Sequence, residues 1–219
     1  MTSLNRIARL GAVLCTSAAL FSCVQGCDRP SGERAPAAID LTPKEEAKEL
    51  PKLGDIGDFK LTDQAGKAAT RDTLKGEPFV AAFFFTRCPT ICPRLTRKMG
   101  EVQSAGKAQD LKFRLVSFSV DPDNDTPQAL RDYAAKNSVD LSNWVFLTGD
   151  YEVVKKTSVD GFKQVLEGKA DPNADHFGIL HGSHLVLVDG EAQIRGFYRS
   201  EDDDAVKRLL SDIKRLASQ

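Results

Sequence analysis

Residues 79–93 read Phe79-Val80-Ala81-Ala82-Phe83-Phe84-Phe85-Thr86-Arg87-Cys88-Pro89-Thr90-Ile91-Cys92-Pro93, and the first seven of them decide the fold class. They form an apolar run of strand length with no alternation, bounded by Pro78 and Thr86, which reads as a strand covered on both faces. That condition is met mostly in parallel sheets flanked by helices. Pro93 to Gly106 follow as a helix, with Leu95, Met99 and Val102 along one side. The two cysteines therefore fall where a central strand hands over to a helix.

Working outward, Phe59 to Thr62 and the polar Asp63 to Lys67 predict a short strand turning into a second one, and Thr70 to Leu74 a single helical turn. Downstream, Leu111 to Val120 predicts a long strand that ends at Asp121-Pro122. Thr126-Pro127 opens a helix running to about Lys136, with the proline at its first position. Trp144 to Leu147 is a third short strand, Tyr151 to Gly161 a helix, and Ser183 to Val188 a fourth strand with Ile194 to Arg199 as its hairpin partner across Asp189-Gly190. Asp202 to Ala217 closes the chain as an amphipathic helix with Ala205, Leu209, Ile213 and Leu216 in one stripe. This alternation predicts an α/β protein with a central mixed sheet flanked by helices, a thioredoxin-like arrangement.

The N-terminal 50 residues differ from the rest. Arg6 and Arg9 precede an apolar stretch from Leu10 to Phe21 and then small residues, the layout of a secretory signal over 1–27. The stretch is shorter than the roughly 20 apolar residues a spanning helix needs. Cys23 and Cys27 each end a small-residue box of the kind at which bacterial lipoproteins are cut and lipidated, so one or the other is expected to carry lipid. Residues 28–50, which carry Pro, Gly and charge with little hydrophobic pattern, read as a flexible tether, and 51–219 as one globular domain. The expected setting is the bacterial cell envelope, with the domain held at a membrane and facing the periplasm or exterior. Lys plus Arg number 30 against 31 for Asp plus Glu, a net charge of −1, so nothing points to a nucleic-acid partner.

Five cysteines occur in the chain. Cys15 lies in the signal and Cys23 or Cys27 at the lipidation box, which leaves Cys88 and Cys92 for the folded body. A disulfide between them closes too short a loop to constrain the unfolded chain much, so stapling is a poor motive for the pair. A helix N-terminus beside the sulfurs, and Arg87 beside Cys88, favour the thiolate, the form that attacks disulfides and binds soft metals. Three intervening residues allow either a bridging metal ion or a disulfide. The helix is expected to begin at Pro93.

The three histidines, His176, His181 and His184, lie within nine residues. Two cysteines and two histidines would make a zinc tetrahedron, but His181 and His184 are an odd number of positions apart and point to opposite sides of an extended segment. His181, just ahead of the apolar strand Leu185 to Val188, is the better candidate to reach the cysteines from a loop. His184 and His176 are expected elsewhere. Two thiolates and one imidazole suit Cu(I), and admit Cu(II) with a further oxygen or nitrogen donor.

Four segments together resemble the SCO (SenC) family of copper chaperones for cytochrome c oxidase assembly: Gly57 to Asp63, Phe84 to Pro93, Ser117 to Pro127, and His181 ahead of Leu187-Val188-Asp189-Gly190. The resemblance covers about residues 50 to 217. It implies a thioredoxin-like fold with added elements, here an N-terminal hairpin, and places Cys88, Cys92 and His181 at the positions of the copper ligands. It implies as partner the copper-bearing subunit of cytochrome c oxidase or a periplasmic copper relay protein. The alternative activity in the same family is thiol-disulfide exchange, with Cys88 and Cys92 as the redox pair. Asp121 and Asp125 lie in the family's stretch near the site, where turn and cap chemistry competes with shaping the metal pocket. Thr90, Arg87 and Asn124 depart from the residues common in the family at those positions and leave the ligands untouched.

Overall fold

The apolar run at 79–85 forms the strand on which the domain is built. In this computed structural model, which describes residues 49–168 and 179–217, Phe79–Phe84 is a strand with every residue buried. In chain order the strands are β1 (Gly54–Asp55), β2 (Lys60–Asp63), β3 (Ala68–Thr70), β4 (Phe79–Phe84), β5 (Arg114–Ser119), β6 (Trp144–Thr148), β7 (Leu166–Glu167), β8 (Leu180–His181), β9 (His184–Val188) and β10 (Gln193–Arg199). The helices are α1 (Arg71–Leu74), α2 (Ile91–Lys107), α3 (Pro127–Lys136), α4 (Tyr151–Lys156) and α5 (Ala205–Ala217). The expected signal over 1–27 with Cys23 and Cys27, the tether as far as residue 48, and His176 lie outside the described residues.

Eight strands form one mixed sheet in the order β1-β10-β9-β4-β5-β6-β2-β3. β4 pairs in parallel with β5, and β5 with β6, while β9 lies antiparallel on the other side of β4. β2 and β3 make the expected N-terminal hairpin, added to the sheet antiparallel to β6. The alternation along β4 sends Phe83 and Phe84 to opposite faces. Phe83 stacks on Phe118 at 5.0 Å and meets Phe162 edge-on at 5.3 Å. Phe84 meets Phe146 and Tyr133 at 5.4 and 5.2 Å. The apolar run is thus a double-sided strand because each face has its own aromatic layer, and these dispersive contacts accompany the burial that drives folding.

Several boundaries differ from the sequence reading, each for a local reason. β5 is shorter than Leu111–Val120 because Asp110 takes a left-handed turn (φ 54°) and Leu111 N–H donates back to the Gly106 carbonyl at 3.0 Å. The expected helix Tyr151–Gly161 divides into α4 and a π turn over Thr157–Gly161. There Gly161 approaches the Ile56 backbone, and a Cβ at 161 would stand 2.2 Å from the Ile56 carbonyl oxygen. The β9–β10 turn is fastened by Asp189, whose Oδ1 accepts from the N–H groups of Glu191 and Gln193 at 2.9 Å each. Buried Arg195 donates to Asp189 Oδ2 at 2.7 Å and to the Leu50 carbonyl at 2.6 Å, tying the start of the domain to this hairpin. Strands β1, β7 and β8 are too short to leave a periodic signature. Among the described residues no helix is long and apolar enough to cross a membrane.

The contact at Gly161 gives a stability test. Gly161→Ala is expected to destabilise the domain by about 1–3 kcal/mol, because the obstructing atom is backbone. Gly100→Ala, whose Cβ meets nothing within 4 Å on α2, should be neutral or stabilising by up to about 1 kcal/mol. Urea unfolding midpoints decide; equal stability of the two variants would contradict the packing described.

Candidate metal centre

β4 delivers the chain to a six-residue loop, 85–90, and α2 begins directly beyond it. Its first residue is Ile91, two positions earlier than the expected start at Pro93. Pro93 is then the third helical residue, where its missing N–H is one that no intrahelical acceptor awaits. Thr90 occupies the N-cap position and makes no side-chain capping bond. A sulfur takes that part instead: Cys92 N–H donates to Cys88 Sγ at 3.4 Å. Phe85 N–H donates in turn to Cys92 Sγ at 3.5 Å. Both cysteines are reduced and buried.

His181 arrives from a different part of the chain. It lies in β8, which pairs antiparallel with β7 so that Leu166 faces His181. The expected loop is therefore a small hairpin of its own, and Gly182-Ser183 separate His181 from β9, so His181 and His184 do not share one extended strand. The outcome anticipated for them still holds. His181 Nε2 is 3.5 Å from Cys92 Sγ, and the donor atoms of Cys88, Cys92 and His181 all lie within 4.8 Å of one another. His184 is outside that cluster, its ring edge-on to Phe197 at 6.4 Å. The His181 Nδ1 is 3.0 Å from the Gly182 carbonyl. Because a carbonyl only accepts, this bond places the proton on Nδ1 and leaves the Nε2 lone pair facing the sulfurs. Phe85 packs edge-on against the imidazole at 5.8 Å and holds its plane.

The sulfurs divide one proton between them. The hydrogen bond from Cys92 holds the Cys88 thiol well below its ordinary range, the backbone N–H groups of Cys92 and Thr90 add to this, and burial opposes it. Cys92 is pushed well up by the same bond to Cys88 and by its own burial. Cys88 is the thiolate of the pair and Cys92 the thiol. Arg87, expected to act as a cation beside Cys88, instead turns to Asp121: its Nη2 donates to Asp121 Oδ2 at 2.8 Å and its Nε at 3.2 Å.

Asp121 and Asp125 hold this loop from outside. Their turn chemistry is backbone work, with the N–H groups of Asn124 and Asp125 donating to the Asp121 carbonyl, and the cap of α3 is Thr126. Both side chains reach the loop, and Asp121 Oδ1 also accepts from Asn124 Nδ2 within the turn at 2.9 Å. Asp125 accepts from Thr86 N–H at 3.0 Å, from Thr86 Oγ1 at 2.5 Å and from Ser119 Oγ at 2.6 Å. Burial pushes the Asp125 carboxyl up, and its Ser119 and Thr86 hydrogen bonds oppose that. Thr86 and Ser119 were not singled out by sequence. The available signal was a hydroxyl at the end of each of two neighbouring apolar strands, with an acid-rich turn following the second.

A mixed sheet with this strand order, two cysteines at a strand–helix junction and an imidazole brought to them by a separate hairpin define a thioredoxin-like protein with a Cys-Cys-His cluster capable of holding a metal ion. The chain belongs to the SCO1/SenC family, whose profile matches residues 48–218. It is similar to a SCO1/SenC family lipoprotein from Bacillus anthracis, with 34% identity, a TM-score of 0.68, and 75% of this chain and 95% of that one covered. It is similar to BsSco, described as a member of the Sco family of cytochrome c oxidase assembly proteins in which a disulfide switch was identified, with 32% identity, a TM-score of 0.67, and 75% and 94% covered. The copper-bound ScoI of Bradyrhizobium japonicum matches with 29% identity, a TM-score of 0.61, and 73% and 98% covered.

The division of the proton predicts an order of reaction. Brief treatment of the reduced protein with iodoacetamide at neutral pH should label Cys88 before Cys92, as peptide mapping would read. The Cys88 rate should stay nearly level between about pH 8 and pH 6, where an ordinary thiol of pKa about 8.5 loses thiolate steeply. Faster labelling of Cys92, or a steep fall at Cys88, would contradict the assignment.

Proposed function

We propose that this protein is a copper-binding metallochaperone that serves the dinuclear copper centre of cytochrome c oxidase, with Cys88, Cys92 and His181 as the ligands of its cargo. The observation that carries the reading is the convergence of two sulfurs and one correctly presented imidazole nitrogen within 4.8 Å. Thiolate and imidazole donors suit Cu(I), and the half-buried face of His181 leaves room for a further oxygen or nitrogen donor to Cu(II). Zinc's full tetrahedron finds no fourth protein donor among the described residues, since His184 is not in the cluster. The copper-bound relative and the relative described as an oxidase assembly factor support the cargo and its destination. The receiving partner is the copper-bearing oxidase subunit or a periplasmic copper relay protein.

The same pair supports a second reading as a thiol-disulfide oxidoreductase, favoured by the thiolate at Cys88 beside a protonated Cys92. The Cys88 thiolate would attack a partner disulfide, forming a mixed disulfide and releasing one partner thiolate. Cys92, after losing its proton, would then attack Cys88 Sγ, closing the Cys88–Cys92 bond and releasing the second partner thiolate. The partner gains the two electrons that this pair gives up. Lipid at Cys23 or Cys27 would hold the protein at the envelope membrane, facing the periplasm or exterior, and the family lipoprotein from Bacillus anthracis supports that placement.

His181→Ala separates the two readings. It should weaken Cu(I) binding by more than the roughly 10–100-fold that loss of an outer partner costs, with the fold and the Cys88–Cys92 disulfide retained. His184→Ala should bind as the parent does. Competition titration against a Cu(I) chelator, with circular dichroism for folding, gives the answer. Parent-like affinity in His181→Ala would defeat the chaperone reading and leave the oxidoreductase.

A further inference from the structure

Asp125 is an acid in an unusual place. Its side chain is 0% exposed, and among the described residues it has no ion-pair partner, whereas neighbouring Asp121 has Arg87. Its hydrogen-bond partners are all neutral: the Thr86 N–H and hydroxyl, and the Ser119 hydroxyl. Ser119 Oγ already accepts from Asp121 N–H at 3.1 Å, so its own hydrogen is directed at Asp125. The two hydroxyl contacts, at 2.5 and 2.6 Å, have the length of bonds to an ionised carboxylate. A buried charge is costly unless paired, and the loop that Asp125 holds through Thr86 carries Cys88 of the cluster two residues further on. The adjacent amides of Phe85 and Thr86 donate to Cys92 Sγ at 3.5 Å and to Asp125 Oδ2 at 3.0 Å, which sets the carboxylate beside the cluster.

Resting on the copper reading above, we infer that Asp125 is a positioning residue whose buried negative charge biases the centre toward the copper ion of higher charge. With both sulfurs as thiolates, the centre and Asp125 together carry three negative charges. Cu(I) leaves two of them uncompensated and Cu(II) leaves one. Charge repulsion in a water-poor site falls off only with distance and local polarisability, so the Asp125 charge favours Cu(II) more than Cu(I). Through Thr86 the same carboxylate fixes the loop that presents Cys88.

The test uses the full exported domain loaded with copper alone. Separate competition titrations give the affinities for Cu(I) and Cu(II), and spectroelectrochemistry gives the midpoint of the one-electron couple, in which the ion takes an electron from the electrode and the ligands stay unchanged. In Asp125→Asn the Cu(II) affinity should fall about tenfold relative to Cu(I), a rise in midpoint of about 59 mV. Asn124→Ala removes a neutral bond to Asp121 from the same turn; it alters no charge, so any loss should affect both ions alike and leave the midpoint in place. If Asp125→Asn does not fold, Asp125→Ser carries the same expectation with a smaller side chain. Equal effects on both ions, an unmoved midpoint, or failure of both variants to fold would overturn the inference, the last by making Asp125 a purely structural residue. A parent protein that binds neither ion would instead overturn the proposed function.

Discussion

The hydrogen bond from the Cys92 amide to Cys88 Sγ is the contact on which the site depends. A helix starting at Ile91 needs an acceptor for its first amides, and Thr90 does not supply one. The Cys88 sulfur does, and in doing so it is drawn over the helix N-terminus, where negative charge is favoured. One bond therefore ends the loop, starts α2 and brings the two sulfurs together, and it adds to the larger effect of the Cys92 side chain in favouring the thiolate at Cys88. Pro89 and Pro93, each directly after one of the cysteines, do not compete for that acceptor, since neither has an amide hydrogen.

Around this contact the fold supplies rigidity from three directions. β4 is buried on both faces and sets where the loop begins. The turn after β5 reaches across to the loop, with Asp121 on Arg87 and Asp125 on Thr86. The β7–β8 hairpin carries His181, whose ring is fixed by the Gly182 carbonyl on one nitrogen and by Phe85 at its edge. Contacts of this kind fix the donor atoms where an ion would meet them, a form of preorganisation that lowers the cost of binding. The proposed metal chemistry and the alternative thiol chemistry would draw on that one arrangement.

Much of this was legible in the sequence because the decisive signals are local. The unbroken run Phe79 to Phe85 announces a doubly covered strand, and the Cys88 to Pro93 segment after it locates the sulfurs at a strand–helix junction. His181, and not His184, is the histidine brought to the sulfurs, as its place just ahead of the apolar strand suggests, although the two occupy separate strands and not one extended segment. What could not be read depends on tertiary contacts. For Asp121 and Asp125 the sequence left turn chemistry and shaping of the pocket in competition, and only the tertiary contacts show their carboxylates crossing to the loop at Arg87 and Thr86. Arg87 looked like a partner for Cys88 until Asp121 was placed beside it. β7 and β8 are two residues each, too short for any periodicity to register, and the π turn exists because Gly161 lets the Ile56 backbone approach.

The most direct measurement is X-ray absorption at the copper edge on the reduced, anaerobic protein loaded with one equivalent of Cu(I). The account predicts a single ion with two sulfur neighbours and one imidazole nitrogen, matching Cys88, Cys92 and His181. A shell of sulfur alone, or copper–copper scattering from a shared cluster, would contradict it.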